Sequence, residues 1–437
     1  MKSSNSVHKV VIVGAGFGGL RAVKTLAHAP VHVTLIDRNN YHLFQPLLYQ
    51  VATAGITPEE IAYPVRTIFR RQKNFTFRLT EVTGFNLEDH SLETSSGPVR
   101  YDTLILAPGG QTNTFGIESV GAHSLGMKDL RDATGVRNHL LRQFESASQE
   151  TDSDRRRAML TFVIAGGGPT GVETAGAIME LIQMALKHDR LGIRSGDIRV
   201  ILMEGTDQLL AGMPADLGEA ARRMLASKGV AVRFNALITG YDAERVRLKS
   251  GEILPAGTLI WAAGVRAVHL MSRLNVPLSR LGQAIVGPDL RIPGHPDVYV
   301  IGDAAAPPAP DGKPLPMVAP VAIQQAEQTA ANIQRALRGE ALRPFVYRDP
   351  GMLATIGRSQ AVARVGGIHI TGFLAWLAWL GLHIVQLIGF RNRLLVLINW
   401  AWDYLFYDRA VRLILPSDPT PAAQPVEQER QRSAEYL

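Results

Sequence analysis

Two glycine clusters carry the chemistry most readily read from this chain: Gly14-Ala15-Gly16-Phe17-Gly18-Gly19 and Gly166-Gly167-Gly168-Pro169-Thr170-Gly171. Each follows a β-branched apolar run and opens a helical pattern. At this spacing the first glycine permits a tight turn, the second lets the main chain approach a pyrophosphate, and the third lets helix and strand pack closely. Those roles fall to Gly14, Gly16 and Gly19 in the first cluster, and to Gly166, Gly168 and Gly171 in the second. Each unit then ends a strand in an acid suited to ribose hydroxyls: Asp37, 18 residues after Gly19, and Glu204 after the strand Ile198 to Met203. The second helix-to-strand connection is longer, because residues 181–196 intervene. One such cluster alone is weak evidence, since glycine turns are common. Two in this context predict two dinucleotide sites. No arginine follows Glu204 in Gly205-Thr206-Asp207, so if the second site takes a nicotinamide dinucleotide it is expected to repel the extra phosphate of NADPH and prefer NADH.

The elements that must position these turns recur along the chain. Tyr101 to Gly109 and Thr258 to Gly264 are apolar strands ending in small residues, and Val298 to Asp303 ends in Gly-Asp. Any one of them reads as an ordinary buried strand and turn. Alternating strands and helices of this kind predict an α/β chain with two Rossmann-like dinucleotide-binding domains, followed by a helical C-terminal region.

Composition narrows the function. The 437 residues, at roughly 150 per domain, predict two to three domains. Cysteine is absent, which excludes disulfides, thiolate metal sites, iron–sulfur clusters and thiol redox chemistry; no metal site is expected. Any redox chemistry must come from a bound organic cofactor. The formal charge of +7 leans toward anionic partners, yet the basic residues are scattered, which argues against nucleic acid. Neither glycine turn continues into the Gly-Lys-Ser/Thr of a phosphotransfer loop. Met1 to Lys9 carries no apolar signal core, so the body is expected to stay in the cytoplasm.

At this order and spacing the segments resemble the flavoprotein family with two dinucleotide-binding domains. The resemblance implies FAD on the first turn, NADH on the second, and Asp303 reaching the ribityl and phosphate region of FAD, with Gly109 and Gly264 beside the cofactors. It implies an FAD-binding domain split into residues 1–115 and 290–365 and an NADH-binding domain at residues 116–289. Two stretches, Asn40-Tyr41-His42-Leu43-Phe44-Gln45-Pro46-Leu47-Leu48-Tyr49-Gln50-Val51-Ala52-Thr53-Ala54 and Ala319-Pro320-Val321-Ala322-Ile323-Gln324-Gln325, resemble type II NADH:quinone oxidoreductase. In that family the second stretch starts a helix beside the flavin and lines the quinone pocket, with a pattern written AQxAxQ. Ala319, Ala322 and Gln324 match, while Pro320 replaces the first glutamine, leaving Gln324 as the favoured polar contact. Glu173 has two readings: complementation of the helix dipole in the first turn, or, by resemblance, a carboxyl facing flavin and nicotinamide that assists quinone protonation.

Ile368 to Phe390 is 23 residues without Asp, Glu, Lys or Arg, long enough to span a bilayer by hydropathy. Arginines flank it on both sides without bias, and four of the five tryptophans lie in or near it (Trp376, Trp379, Trp400 and Trp402). This predicts a monotopic anchor on the lipid bilayer surface over residues 366–415: an apolar helix, the corner Arg391-Asn392-Arg393, and a helix from about Leu394 to Leu413 with Arg409 and Arg412 near anionic lipid. Trp376, Trp379, His383 and Gln386 share one helical face and are candidates to border the quinone entrance, with packing against the body as the alternative. Residues 416–437 are expected to be disordered.

The chain is therefore expected to pass two electrons from NADH through FAD to a membrane quinone, without proton pumping, on the cytoplasmic face of the cell membrane. Two other readings stay open: a soluble NADH-dependent flavin reductase for a small redox protein, and a flavin-bound, NADH-responsive signalling or structural protein. A homodimer is left open as well.

Overall fold

The computed structural model describes residues 7–188, 192–308, 312, 314–406 and 413–415. The first unit begins with β1 (His8–Val13), α1 (Phe17–Thr25), β2 (Val31–Asp37), β3 (Phe75–Leu79) and β4 (Thr103–Leu106). The central unit contains β5 (Thr161–Ala165), α2 (Pro169–His188), β6 (Arg199–Met203), β7 (Val230–Arg233) and β8 (Thr258–Trp261). The chain then returns through β9 (Arg291–Ile292), β10 (His295–Val300) and α3 (Ala319–Leu337). It closes with β11 (Met352–Thr355), β12 (Ala361–Val365), β13 (Ile368–Thr371), α4 (Phe373–Gln386) and α5 (Phe390–Phe406).

The first sheet has six strands in the order β9-β10-β4-β1-β2-β3, parallel apart from the β9–β10 edge. Val10 to Val13 are all buried, as expected for a parallel strand covered on both faces. The second sheet, β7-β6-β5-β8, is parallel throughout. Its side chains alternate between two cores: Phe162, Ile164 and Leu202 face one, while Val163, Ala165, Ile201 and Met203 face the other. The chain's exit to the central unit and its return pair with each other, Gly110–Thr112 lying antiparallel to Val265–Ala267.

Two seams fall elsewhere than the sequence suggests. Ala267, Met271, Leu274, Ala284 and Val286, assigned by sequence to the NADH domain, pack in the first unit's core. β11, β12 and β13 form one antiparallel sheet that leads directly into α4, so the C-terminal unit begins near residue 350 rather than 366. Ala354, Ile356 and Val362 of this unit share a core with α2, with Phe44 to Ile61, and with Trp379 and Val396 of the last two helices.

The apolar stretch Ile368 to Phe390 is not one helix. β13 takes its β-branched beginning, Gly372 (φ +73°) breaks the chain, and α4 spans 14 residues before Gly389 (φ +91°) breaks it again. At 1.5 Å per residue α4 is about 21 Å long, short of the ~30 Å hydrocarbon layer. Among the described residues no helix is long and apolar enough to cross a membrane. Arg391-Asn392-Arg393 lies inside the first turn of α5 rather than at a corner before it. Arg409, Arg412 and the tail 416–437 lie outside the described residues.

Candidate active site

The first glycine turn sits at the C-terminal end of β1, where open α/β sheets bind their ligands. Gly14 has φ +102°, and a Cβ there would stand 2.2 Å from the Ala107 carbonyl oxygen of the neighbouring strand's end. A Cβ on Gly19 would lie 1.8 Å from the Gly14 oxygen, so the glycine allows α1 to close on the turn. Gly16 has nothing within 4 Å on its Cβ side, leaving the open cradle that a pyrophosphate needs. Asp37 accepts the Ala15 N–H at 2.6 Å through Oδ2 and the Asn39 N–H at 2.7 Å through Oδ1. Burial pushes its carboxyl above the usual range, and those amides oppose the shift.

α3 begins beside this turn: a Cβ on Gly18 would meet the Ala322 oxygen at 3.3 Å, and one on Gly302 would meet the Ala322 Cβ at 3.2 Å. The structure thus brings together Ala322, the Gly302-Asp303 segment and the first turn, although 284 residues separate Gly18 from Gly302 (302 − 18). Ala319 is the first residue of α3, and Gly109 (φ +77°) has open space on its Cβ side. Asp303 Oδ2 lies 3.3 Å from the Lys128 ammonium, a half-buried ion pair that sequence reasoning missed because the partners come from distant segments. A nucleotide phosphate or ribityl chain fits this arrangement, since Lys128 offsets the Asp303 charge.

Gln324 is placed differently from its neighbour. Its side-chain amide donates to the Arg348 carbonyl at 2.8 Å and accepts the Arg348 N–H at 3.0 Å, clipping α3 to the segment that leads into β11. Gln325 is the fully buried glutamine: its Oε1 accepts the Gly302 N–H at 2.6 Å, while its Nε2 has no partner. An orphaned buried donor at the Gly-Asp turn is a second feature suited to a bound cofactor.

The second turn repeats the first in detail. Gly166 has φ +106° and its Cβ would stand 2.7 Å from the Ala262 oxygen; a Cβ on Gly171 would lie 1.8 Å from the Gly166 oxygen; Gly168 faces open space. Glu204 accepts the Gly167 N–H at 2.6 Å through Oε2, and the Thr206 N–H and hydroxyl through Oε1 at 2.8 and 2.9 Å. Gly264, at φ +124°, ends the β8 segment beside this turn.

Glu173 is the fifth residue of α2, one position beyond its first turn, so the dipole reading loses its geometry. Its side chain is buried at 8 % exposure and accepts the Thr355 backbone N–H at 3.4 Å through Oε1. Desolvation pushes the carboxyl up to about 8. The Thr355 amide opposes this, as does the nearby Trp379 indole, whose N–H makes no hydrogen bond of good geometry.

Past Glu173 on α2, Ala177, Glu180 and Met184 form one wall of a cavity of about 740 Å³, counted with its open mouth. The other walls are Tyr49, the Thr355–Arg358 turn, and Trp376, Trp379, Trp400 and Tyr404 from α4 and α5. Trp376 stacks on Tyr404 at 5.7 Å, Trp379 tilts against Trp400 at 5.7 Å, and the Trp400 indole donates to Gln50 Oε1 at 2.8 Å. The Glu180 carboxylate is held by the Lys228 ammonium at 3.2 Å and by the Arg358 N–H.

Of the proposed stripe, Trp376 and Trp379 line this cavity. His383 is buried behind them, stacked on Trp379 at 4.0 Å with its Nδ1 against the Trp379 carbonyl, and burial holds its imidazole down at about 4. Gln386 is exposed. α4 and α5 expose Leu374, Val385, Phe390, Trp402 and Leu405 to solvent, an accumulation of large apolar side chains of the kind that marks an interaction site. Arg393 caps α4 through the Leu387 and Val385 carbonyls at 2.7 and 2.8 Å, and so serves the hairpin itself; Arg391 is exposed.

Comparison with known proteins agrees with this architecture. A family model described as pyridine nucleotide-disulphide oxidoreductase matches residues 8–326, and one described as NDH2 C-terminal domain matches residues 350–407. The chain is 40% identical over 413 residues to a type II NADH:quinone oxidoreductase of Mycobacterium tuberculosis, covering 91% of this chain and 88% of that one. It is 31% identical over 374 residues to a type II NADH:quinone oxidoreductase of Staphylococcus epidermidis, covering 83% and 91%. The structure of NDH2 from Plasmodium falciparum in complex with NADH shares its fold, with a TM-score of 0.85 over 94% of this chain and 100% of that one at 21% identity. The sulfide:quinone oxidoreductase of Aquifex aeolicus shares it less closely, with a TM-score of 0.71 over 92% and 96% at 17% identity. At the identity and coverage of its bacterial relatives, this chain belongs to the type II NADH:quinone oxidoreductase family.

Proposed function

We propose that this protein oxidises NADH and reduces a membrane quinone, with FAD on the Gly14 turn, NADH on the Gly166 turn and the quinone in the aromatic cavity. The observation that carries the reading is the position of that cavity. It lies between Thr355, whose backbone N–H binds Glu173, and the two helices whose outer faces carry exposed apolar residues, so a hydrophobic ring entering from a lipid surface would come to rest one residue from that carboxyl.

FAD, when bound, supplies the chemistry of accepting a hydride from NADH and releasing two electrons to the quinone. The chain supplies placement. Asp37 offers its remaining acceptor capacity to the adenosine ribose of FAD, and Glu204 does the same for NADH, each anchored by an amide of its own glycine turn. Lys128 and Asp303 hold the phosphate and ribityl region. Quinone reduction consumes two electrons and two protons: one hydrogen comes with the hydride of NADH, and the other would come from Glu173, whose carboxyl, raised to about 8, holds a proton at neutral pH behind Thr355 of the cavity wall and regains it from solvent.

We place the body on the cytoplasmic face, docked through α4 and α5 without crossing the bilayer. A flavin-centred path in a chain without cysteine has no iron–sulfur series to couple to pumping.

The test is the visible spectrum of the purified protein under anaerobic conditions. Flavin bands should bleach with NADH and return on adding a short-chain quinone. Bleaching without return would move the electron acceptor elsewhere, and protein that takes up no flavin from excess FAD, or whose flavin bands NADH leaves unbleached, would overturn the reading.

A further inference from the structure

Strand order gives a bound dinucleotide a direction on the central sheet. β6, β5 and β8 lie side by side, so Glu204 at the end of β6 flanks the Gly166 turn on one side, and Ala262-Ala263-Gly264 at the end of β8 flanks it on the other. With the adenosine ribose at Glu204 and the pyrophosphate over Gly166 to Gly168, the nicotinamide half falls on the β8 side, next to Gly264.

The side chain that stands there is Phe115. It is 62% exposed, an unusual position for an aromatic away from the apolar C-terminal helices. Its backbone is left-handed at φ +52°, a conformation that a bulky residue adopts only when its surroundings impose it. The surroundings do impose it. The Phe115 N–H donates to Asn113 Oδ1 at 3.0 Å, the Asn113 N–H donates to the Gly264 carbonyl at 3.1 Å, and the Trp261 indole donates to the Asn113 carbonyl at 2.9 Å. The ring meets the Trp261 ring edge-on at 6.4 Å, and its Cζ lies 2.9 Å from where a Cβ on Gly264 would be. Gly264 thus has to be bare for the ring to sit where it does. On the other side, the ribbon Gly110–Thr112 with Val265–Ala267 runs on from Gly264 to Gly110, whose own Cβ would stand 2.8 Å from Asp303 Oδ2. Phe115 therefore marks the edge of the central sheet that faces the first nucleotide site.

We propose that Phe115 is the aromatic wall for the nicotinamide half of NADH, a binding residue that sets the approach of that ring toward the flavin. The inference rests on the NADH reading above and deepens it. A planar, partly apolar nicotinamide laid on the exposed ring removes both faces from water, and the rigid Asn113–Gly264 anchoring means that little ordering is needed on binding.

The test uses the FAD-loaded full chain with Phe115→Ala, Phe115→Leu and Phe115→Tyr, titrated anaerobically with NAD⁺ and with ADP-ribose, which lacks the nicotinamide. In Phe115→Ala the affinity for NAD⁺ is expected to fall about threefold to tenfold, with ADP-ribose unchanged within about twofold. Phe115→Tyr should restore NAD⁺ binding and Phe115→Leu should fall between, with flavin content and the rate at which quinone reoxidises the reduced flavin unchanged throughout. Equal loss of NAD⁺ and ADP-ribose would show that the loop merely supports the site, and unchanged NAD⁺ affinity would show that the ring makes no contact; either result overturns the inference. Failure of the function reading looks different: the unaltered protein would then neither bind NAD⁺ nor lose its flavin colour with NADH.

Discussion

The Thr355 backbone N–H donates to the Glu173 carboxyl across 3.4 Å, tying the helix that opens the second nucleotide site to the sheet that carries the C-terminal helices. Burial is the largest cause of the raised value of this carboxyl, and the proton it keeps has consequences that can be measured.

Glu173 should make both stability and the quinone step depend on pH. Its folded value of about 8 lies above the ordinary 4.5, so the folded state binds the proton more tightly and stability declines as pH rises from about 4.5 toward 8. Glu173→Gln should remove that decline. Its melting temperature should match the unaltered protein near pH 4.5 and exceed it at pH 9, on the order of 2 °C or more. Stopped-flow reoxidation by quinone should slow above pH 8 in the unaltered protein and lose that inflection in the variant, while flavin reduction by NADH stays unchanged.

Glycine substitutions should separate the two nucleotide sites. A Cβ on Gly19 or Gly171 would stand 1.8 Å from a main-chain oxygen of its own turn, a clash that side-chain motion cannot relieve. Gly171→Ala should keep its flavin spectrum and lose bleaching by NADH, and Gly19→Ala should be purified without flavin. The reverse pattern would exchange the site assignments.

Glu204 should govern the choice of dinucleotide. Glu204→Gln removes the charge that repels a 2′-phosphate while retaining an oxygen for one hydrogen bond. We expect the NADH-to-NADPH ratio of kcat/KM to fall by about tenfold or more, equivalent to ~1.4 kcal/mol. An unchanged ratio would move the selection elsewhere.

Trp376 is only partly buried, so it can be replaced without emptying the core, unlike Trp379 at 1% exposure. Trp376→Leu opens the cavity beside Tyr404 and should raise the KM for quinone several-fold, consistent with ~1 kcal/mol for an aromatic pair. Steady-state assays at saturating NADH would show this, and an unaltered KM would place the quinone outside the cavity.

Arg393 and Arg391 are neighbours with different expected effects. Arg393→Gln should weaken the cap on α4 and speed proteolysis between α4 and α5, with a loss of about 1–2 kcal/mol for a charged hydrogen-bonding group. Arg391→Gln should leave proteolysis alone and reduce binding to anionic vesicles in low salt. If the two variants gave the same result in both assays, the division of labour would be wrong.

What the sequence made legible was local. Gly19 and Gly171 answer to a carbonyl of their own turn, and Gly14 and Gly166 take the positive φ that the turn demands, which is why the spacing announces the turn before any fold is known; the close approach of Ala107 and Ala262 to Gly14 and Gly166 comes from distant strands and was not legible. Asp37 and Glu204 sit one strand away and are nearly as readable. Ile368 to Thr371 shows where pattern alone runs out: four residues that are β-branched, apolar or neutral suit a strand and a helix equally, and their pairing with Val362 to Val365 decided the matter. The pattern favoured Gln324 over Gln325, yet the partners that separate them, Arg348 for Gln324 and Gly302 for Gln325, are fixed by tertiary packing that the pattern does not carry. Lys128 and Phe115 carry no local signature at all. Their significance comes from Asp303 and Gly264, which are distant in sequence.

The paired strip Gly110–Thr112 with Val265–Ala267 has a mechanical consequence. The strands that carry the chain out of the first unit and back are laced to each other, so the two nucleotide-bearing bodies are joined by a stiff strap and not by two independent tethers. Such a strap yields to slight twisting about its length and resists separation. The shared core that binds Phe44 to Ile61, α2 and α4 resists it further. The two sheets are therefore expected to keep their separation when a dinucleotide binds.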